Sequence, residues 1–184
     1  MTHESRLSIS HRALAIVLLV IIAAGVTACS TVTADAPKTR EAREWDIREA
    51  VFRYQFEHNA SGSQRGVDYY FIAVDESTDP PPEFVGRFAG HKPSVLPVSA
   101  ATAPTPSGVS HKELGGTGLI FRVSTIRWIG DTVVEVEGSY FEGGVSASGN
   151  TYRVELRGDT WVVTSNNMNW IAWATTIAGR DGFT

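Results

Sequence analysis

The chain has 184 residues, a formal net charge of −4 and a single cysteine, Cys29. Acidic and basic residues are mixed along it, and the lack of a basic run disfavours nucleic-acid binding. One cysteine excludes an internal disulfide, and the rest of the chain has no thiol for catalysis or for a thiolate metal site. The length is sufficient for one domain with a hydrophobic core.

The first thirty residues have the pattern of an export signal. Arg6 and Arg12 lie in a short polar start, and an almost unbroken apolar run follows from Ala13 to Val26. This run is shorter than the roughly 20 apolar residues that a membrane-spanning helix needs. Its length is typical of the hydrophobic region of a signal peptide.

The segment Val26-Thr27-Ala28-Cys29 resembles the lipobox of bacterial lipoproteins. The resemblance implies transfer of a diacylglyceryl group to the Cys29 sulfur and removal of residues 1–28. Two or more acyl chains would then hold the protein on the exported side of the cell membrane, at about 0.8 kcal/mol per buried CH₂. In Gram-negative lipoproteins a residue such as Ser30 at the next position implies the outer membrane. An uncleaved signal anchor and ordinary secretion are the alternatives.

The remaining chain is divided by its composition. Residues 29–40 are small and polar and predict a flexible tether. Residues 41–173 predict a single α+β domain, and residues 174–184 a C-terminal tail. Within the domain, the stretch 41–57 has no Pro or Gly and favours a helix. Its apolar residues lie on two faces, which indicates that the second face is covered by the protein itself or, alternatively, by a partner.

The next segments predict shorter elements. Residues 67–74 are aromatic and β-branched and favour a strand. A short helix is expected at 83–89 and an edge strand at 95–99, because Pro97 disfavours a central position in a sheet. Residues 100–117 have the composition of a loop.

From Gly118 the pattern becomes that of a β-meander with two Gly-Asp turns. In the first strand the apolar face shifts near Ser124-Thr125, which predicts a β-bulge or cover on both faces. We expect Trp161 and Trp170 to lie in the core. The four predicted strands are 119–129, 132–141, 151–157 and 160–165.

These elements predict an α+β fold in which one long N-terminal helix packs on a four-stranded or larger, antiparallel, curved sheet. Their order is similar to the nuclear-transport-factor-like and cystatin-like folds, in which a bent sheet wraps a helix. Residues 46–171 also resemble a family of uncharacterised bacterial envelope proteins, a resemblance that leaves the activity open. The stretches that carry it include 47–56 with His58-Asn59, 118–123 with Ile126 and Trp128, 134–138, 146–152 and 170–171.

Asp68, Tyr69 and Tyr70 are the candidate catalytic residues, because a carboxylate beside a phenol can transfer protons. Tyrosines in strands are more often core or rim residues. His58 is a further candidate, although its position favours a cation at a helix C-terminus. The chain has no zinc motif, phosphate-binding loop or nucleophile elbow, so we expect no metal and no cofactor.

The sequence therefore predicts a lipid-anchored envelope protein that binds a protein or a small ligand without catalysis. The alternative is a small pocket enzyme, a hydrolase or an isomerase, on a cone-shaped fold. A deep pocket with several polar groups would favour the enzyme, and an exposed aromatic patch would favour the binding module.

The lipobox generates a direct test of location. Cys29→Ala removes the sulfur that would carry the lipid, so we expect this variant to leave the membrane fraction of bacterial cells. Ser30→Ala keeps the sulfur and is the matched control, expected to stay with the membranes. Retention of Cys29→Ala at the wild-type level would contradict the lipoprotein interpretation.

Overall fold

A computed structural model describes residues 38–58, 66–143 and 146–173, without the side chains of the last two. The predicted signal peptide, Cys29, most of the tether and the tail 174–184 lie outside the described residues. In the described ranges, no helix is both long enough and apolar enough to cross a bilayer.

The described chain forms two α-helices, a short 3₁₀ helix at Val98–Ala100 and seven strands. The fold is α+β and dominated by the sheet. The helices are α1 (Arg40–His58) and α2 (Pro82–Gly86); the strands are β1 (Tyr69–Val74), β2 (Ser94–Pro97), β3 (Val109–His111), β4 (Gly115–Gly130), β5 (Val133–Gly143), β6 (Ser146–Arg157) and β7 (Thr160–Trp173).

Helix α1 extends one residue beyond each end of the stretch predicted from the sequence. Thr39 caps it, since its Oγ1 accepts a hydrogen bond from the Ala42 amide at 3.1 Å. With 19 residues, α1 is of moderate length beside seven strands. The expectation of a fold organised on one long N-terminal helix is therefore corrected: most of the ordered backbone belongs to the sheet.

The sheet has the strand order β2-β1-β4-β5-β6-β7, and β3 pairs with the start of β4. Strands β4 to β7 form the predicted antiparallel meander. Strand β1 runs parallel to both β2 and β4, so the sheet is mixed and larger than four antiparallel strands. The physical reason is the crossover through α2, which returns the chain in the same direction. Hydrophobic pattern alone does not encode strand direction.

The predicted β-bulge in β4 is confirmed. Pairing between β4 and β5 passes from Val123–Gly138 to Ile126–Val136, so Ser124 and Thr125 lie opposite a single residue. Such a bulge bends the strand and increases its twist.

Buried Gln55 joins α1 to this bend. Its Nε2 donates hydrogen bonds to the Arg122 carbonyl at 3.2 Å and to the Ser139 carbonyl at 3.4 Å. Gly138 provides the space, because a Cβ there would lie 2.8 Å from the Gln55 Nε2 and 2.8 Å from the Arg122 oxygen.

Two cores lie on opposite faces of the sheet. The larger one packs Ile47, Val51 and Phe52 of α1 against one face of the sheet. The smaller one is covered by the segment between β2 and β4. The expectation of a loop at residues 100–117 is wrong in part, because this range contains β3 and the first residues of β4. The second apolar face of α1 packs on α2 and the residues after it, as in the ring pairs Trp45–Phe84 at 4.9 Å and Phe56–Phe88 at 5.6 Å. The chain itself therefore covers that face.

Trp161 is buried as expected, but the expectation for Trp170 is wrong, since it is 52% exposed. Trp170 pairs with Gly149 on the neighbouring strand. Its indole occupies the space of the missing side chain, because a Cβ on Gly149 would lie 2.2 Å from the indole Nε1. An apolar side chain on a strand is buried only when another part of the protein covers the face of the sheet on which it lies.

The close packing of Gln55 and the Arg122 carbonyl around Gly138 predicts that a larger residue at this position lowers stability. Gly138→Ala should lower the free energy of unfolding by about 1–3 kcal/mol, because the new methyl group must displace Gln55 or the backbone of β4. Urea denaturation monitored by circular dichroism measures the change. Gly86→Ala is the matched control: no atom lies within 4 Å of its added Cβ, and the residue is helical. Equal losses in the two variants would contradict the packing argument.

Candidate functional site

The three residues Asp68, Tyr69 and Tyr70 do not form one site. Successive side chains of a strand point to opposite faces. Tyr70 lies in the main core, with its ring 4.9 Å from that of Phe56. Tyr69 packs on the other face, with its ring 5.2 Å from that of His111. A carboxylate working with both phenols is therefore not assembled.

Asp68 is exposed, and its side chain has a structural role at the start of β4. Its Oδ2 accepts a hydrogen bond from the Thr117 amide at 3.0 Å. Its backbone amide donates to the Thr117 carbonyl at 3.0 Å, and its carbonyl accepts from the Ser94 amide at 3.1 Å. A Cβ added at Gly116 would lie 2.7 Å from the Asp68 Oδ2. A residue larger than glycine at this position would therefore obstruct the hydrogen bond between Asp68 and the Thr117 amide.

His58 is the exposed last residue of α1. Its ring stacks on Tyr54 at 4.2 Å, and its Nδ1 is 3.1 Å from the Tyr54 carbonyl. The imidazole thus contacts one of the last carbonyls of the helix. This geometry fits the predicted role at the helix C-terminus.

The main candidate site is a cleft of about 630 Å³, which we name the charged cleft. It lies where the end of α1, the residues before β1 and the residues before β2 meet. Its walls carry two acidic groups, two basic groups and two aromatic rings: Glu57, Asp68, His91, Lys92, Phe56 and Tyr70.

The orientation of His91 is fixed in this cleft. Its Nδ1 lies 2.8 Å from the Pro93 carbonyl oxygen. Because a carbonyl can only accept, Nδ1 carries a proton, and in the neutral ring Nε2 is the acceptor. The ring packs against Phe56 at 5.0 Å and Tyr70 at 5.6 Å. The cleft therefore presents a positioned imidazole.

Sequence reasoning identified Asp68 and Tyr70 but missed His91 and Lys92. The last two follow α2 and have no motif around them. They come to the cleft because β2 pairs in parallel with β1, which places Ser94 beside Tyr69. Their position near Asp68 could be predicted from the sequence only if the pairing of β1 with β2 were already known.

Within the described residues, the imidazole of the charged cleft is not part of a hydrogen-bonded catalytic pair. Among the hydrogen bonds of the described residues, none joins His91 to Asp68, Glu57 or Ser94. A nucleophile and its base normally lie within hydrogen-bond reach. The same described ranges hold no cluster of three His, Cys, Asp or Glu side chains able to bind a metal ion.

A second, neutral group of side chains lies under the other flank of α1, at a pocket of about 40 Å³. We name it the polar cluster: Gln55, Ser148, Asn150, Tyr152 and Asn166. Ser148 donates to Asn150 at 2.9 Å, and Asn150 donates to Asn166 at 2.7 Å. Such a volume accommodates about one or two water molecules. The polar cluster therefore extends from four buried side chains to the exposed Asn166, and its pocket is too small for a ligand much larger than water.

Burial raises the pKa of Tyr152 to about 12, although the hydrogen bond from Gln55 Nε2 at 3.4 Å acts in the opposite direction. The phenol in the unfolded chain ionises at its ordinary pKa of 10.0. Above that pH the unfolded state binds fewer protons than the folded state, so the free energy of unfolding falls as pH rises.

The Tyr152 pKa predicts alkaline destabilisation. Between pH 10 and about 12, Tyr152 should remove up to about 1.4 kcal/mol of stability per pH unit. Urea denaturation at a series of pH values measures the slope. Tyr152→Phe cannot ionise and should show a shallower fall. An identical slope in the variant would contradict the assignment.

Comparison with known protein families, curated proteins and solved structures finds no match to this chain. The resemblances to lipoproteins, to envelope proteins and to cone-shaped folds stay predictions that depend on the residues quoted for them.

Proposed function

We propose that the protein is a lipid-anchored, non-enzymatic binding module of the bacterial cell envelope. The charged cleft binds a small ligand that carries both an amino and a carboxylate group, such as an amino acid or a short peptide. The observation that carries this proposal is the presence of acidic and basic side chains in one cleft of about 630 Å³.

The charges of the cleft are complementary to such a zwitterion. Glu57 offers its carboxylate to an ammonium group, as does Asp68 through its Oδ1, since Oδ2 accepts from the Thr117 amide. Lys92 offers an ammonium group to a carboxylate. Charge-assisted hydrogen bonds are stronger than neutral ones. These three side chains are exposed, so a ligand would reach them without a rearrangement of the core.

Two aromatic rings supply the apolar part of the cleft. Phe56 and Tyr70 belong to the main core and are held by neighbouring rings, including Phe121 at 5.1 and 5.0 Å. Rigid walls reduce the entropy lost on binding. His91 packs against the same rings and adds one oriented hydrogen-bonding group.

The envelope location depends on the lipobox and the polar tether. A lipid on Cys29 would keep the domain at the membrane surface, and the tether would give the charged cleft access to solutes beyond the headgroups. The proposed ligand is a soluble, charged molecule, which agrees with a domain held outside the bilayer.

The enzyme alternative has less support. Asp68 is engaged by the Thr117 amide, and the two neighbouring tyrosines face away from each other. His91 has a defined tautomer but no hydrogen-bonded nucleophile among the described residues. For acid–base catalysis the ligand itself would have to supply the second proton-transfer group.

The proposal predicts selective stabilisation by zwitterions. We expect the dipeptide Ala-Ala, at about 100 times its dissociation constant, to raise the melting temperature of the full chain by about 5–10 °C. The N-acetylated and C-amidated dipeptide lacks both charges and should give no shift. Differential scanning fluorimetry in mild detergent measures both.

Variants of cleft residues, with a matched control, test whether the dipeptide binds in the charged cleft. Lys92→Ala and Glu57→Ala should each reduce the dipeptide shift, whereas Glu113→Ala changes an exposed acidic residue outside the cleft and should retain it. Equal shifts with the capped peptide, or an undiminished shift in Lys92→Ala, would overturn the assignment of the ligand to the charged cleft. No shift with a panel of amino acids and dipeptides would overturn the ligand class.

A further inference from the structure

Within the described residues, one edge of the sheet has no paired strand beside it over an unusual length. Strand β7 has 14 residues, and within the described part of the chain its strand partner is β6 alone. Its outer edge therefore presents backbone N–H and C=O groups that have no strand beside them in those ranges. Residues 165–170 are exposed side by side.

The two edges of the sheet differ in their protection. The opposite edge strand, β2, has four residues, ends at Pro97 and is followed directly by the 3₁₀ helix. Short length and proline are common protections against pairing with another chain. Strand β7 has neither of them.

The sequence of β7 also lacks charges. From Thr160 to Trp173 there is no Asp, Glu, Lys, Arg or Pro. Natural edge strands usually carry lysine or another charge to prevent association. Two β-bulges, where pairing with β6 shifts near Val154 and near Asn150, are the one common edge protection that this strand has.

We propose that β7 pairs antiparallel with β7 of a second copy of this chain, about a two-fold axis near Asn167. A two-fold interface requires a surface that is complementary to itself. An uncharged edge meets this requirement because no like charges face each other. Asparagine also meets it, since each amide both donates and accepts hydrogen bonds.

Two half-exposed apolar side chains flank the proposed axis. Met168 and Trp170 are each 52% exposed. Met168 pairs with Asn150 and borders the polar cluster, while Trp170 covers Gly149, so the two lie on opposite faces of the sheet. Pairing of the edges would bring both close to the partner copy and reduce the apolar surface on each face. The occupant is thus a second copy, and the joined sheet would be continuous across the axis.

Cysteine cross-linking tests the axis. In the full chain carrying Cys29→Ser, Asn167→Cys should form a disulfide dimer under mild oxidation, seen on a non-reducing gel. Glu83→Cys places a thiol at an exposed residue of α2 and is the matched control, expected to stay monomeric. Equal cross-linking at both positions would overturn the proposal, because it would reflect random collision.

A charge at the axis gives an independent test. Asn167→Lys places two ammonium groups opposite each other and should weaken dimerisation at least tenfold, measured by sedimentation velocity over a concentration series. Glu83→Lys should leave the dimer unchanged. A wild-type chain that stays monomeric at every concentration would overturn the proposal, as would an unaffected Asn167→Lys dimer. Slow hydrogen exchange of β7 amides that appears only after addition of cell extract would overturn it in favour of a different partner.

Discussion

One buried amide, the side chain of Gln55, joins α1 to the backbone of two strands. It donates to the carbonyls of Arg122 and Ser139, which are paired on β4 and β5 just before the bulge in β4. A buried polar group is expensive unless it is hydrogen-bonded. The contact therefore fixes the position of α1 along these two strands. Gly138 belongs to the same arrangement, because its lack of a side chain admits the glutamine.

The local elements could be predicted from the sequence because their causes are local. Val134 and Val136 alternate with glutamates, a period of two that is typical of a half-buried strand, and the shifted apolar face near Ser124 predicts the bulge. The helix followed from the absence of Pro and Gly between residues 41 and 57. These patterns depend on periods of two or 3.6 residues and need no knowledge of distant partners.

The remaining features depend on distant pairing. Nothing in residues 69–74 indicates that β1 runs parallel to its two neighbours, and the charged cleft is a product of that pairing. Asp68 and Tyr70 were identified from their types, whereas His91 and Lys92 required the structure. The burial of Trp170 was misjudged because its side chain packs on Gly149 at an open edge of the sheet. Local pattern gives the face of a residue but not whether that face is covered.

The parallel pairing of β1 with β4 has a consequence for the order of folding. The meander β4–β7 joins strands that follow one another in the chain, so its loops close at small entropic cost. Strand β1 joins residues 69–74 to 118–123, across the whole α2 and β3 region. Contacts of such long sequence separation form slowly. The meander is thus the part of the chain able to assemble first, with α1 and β1 docking on it afterwards. On this order the charged cleft is completed in the final stage of folding, and a chain arrested before that stage would have the β4–β7 meander without the charged cleft.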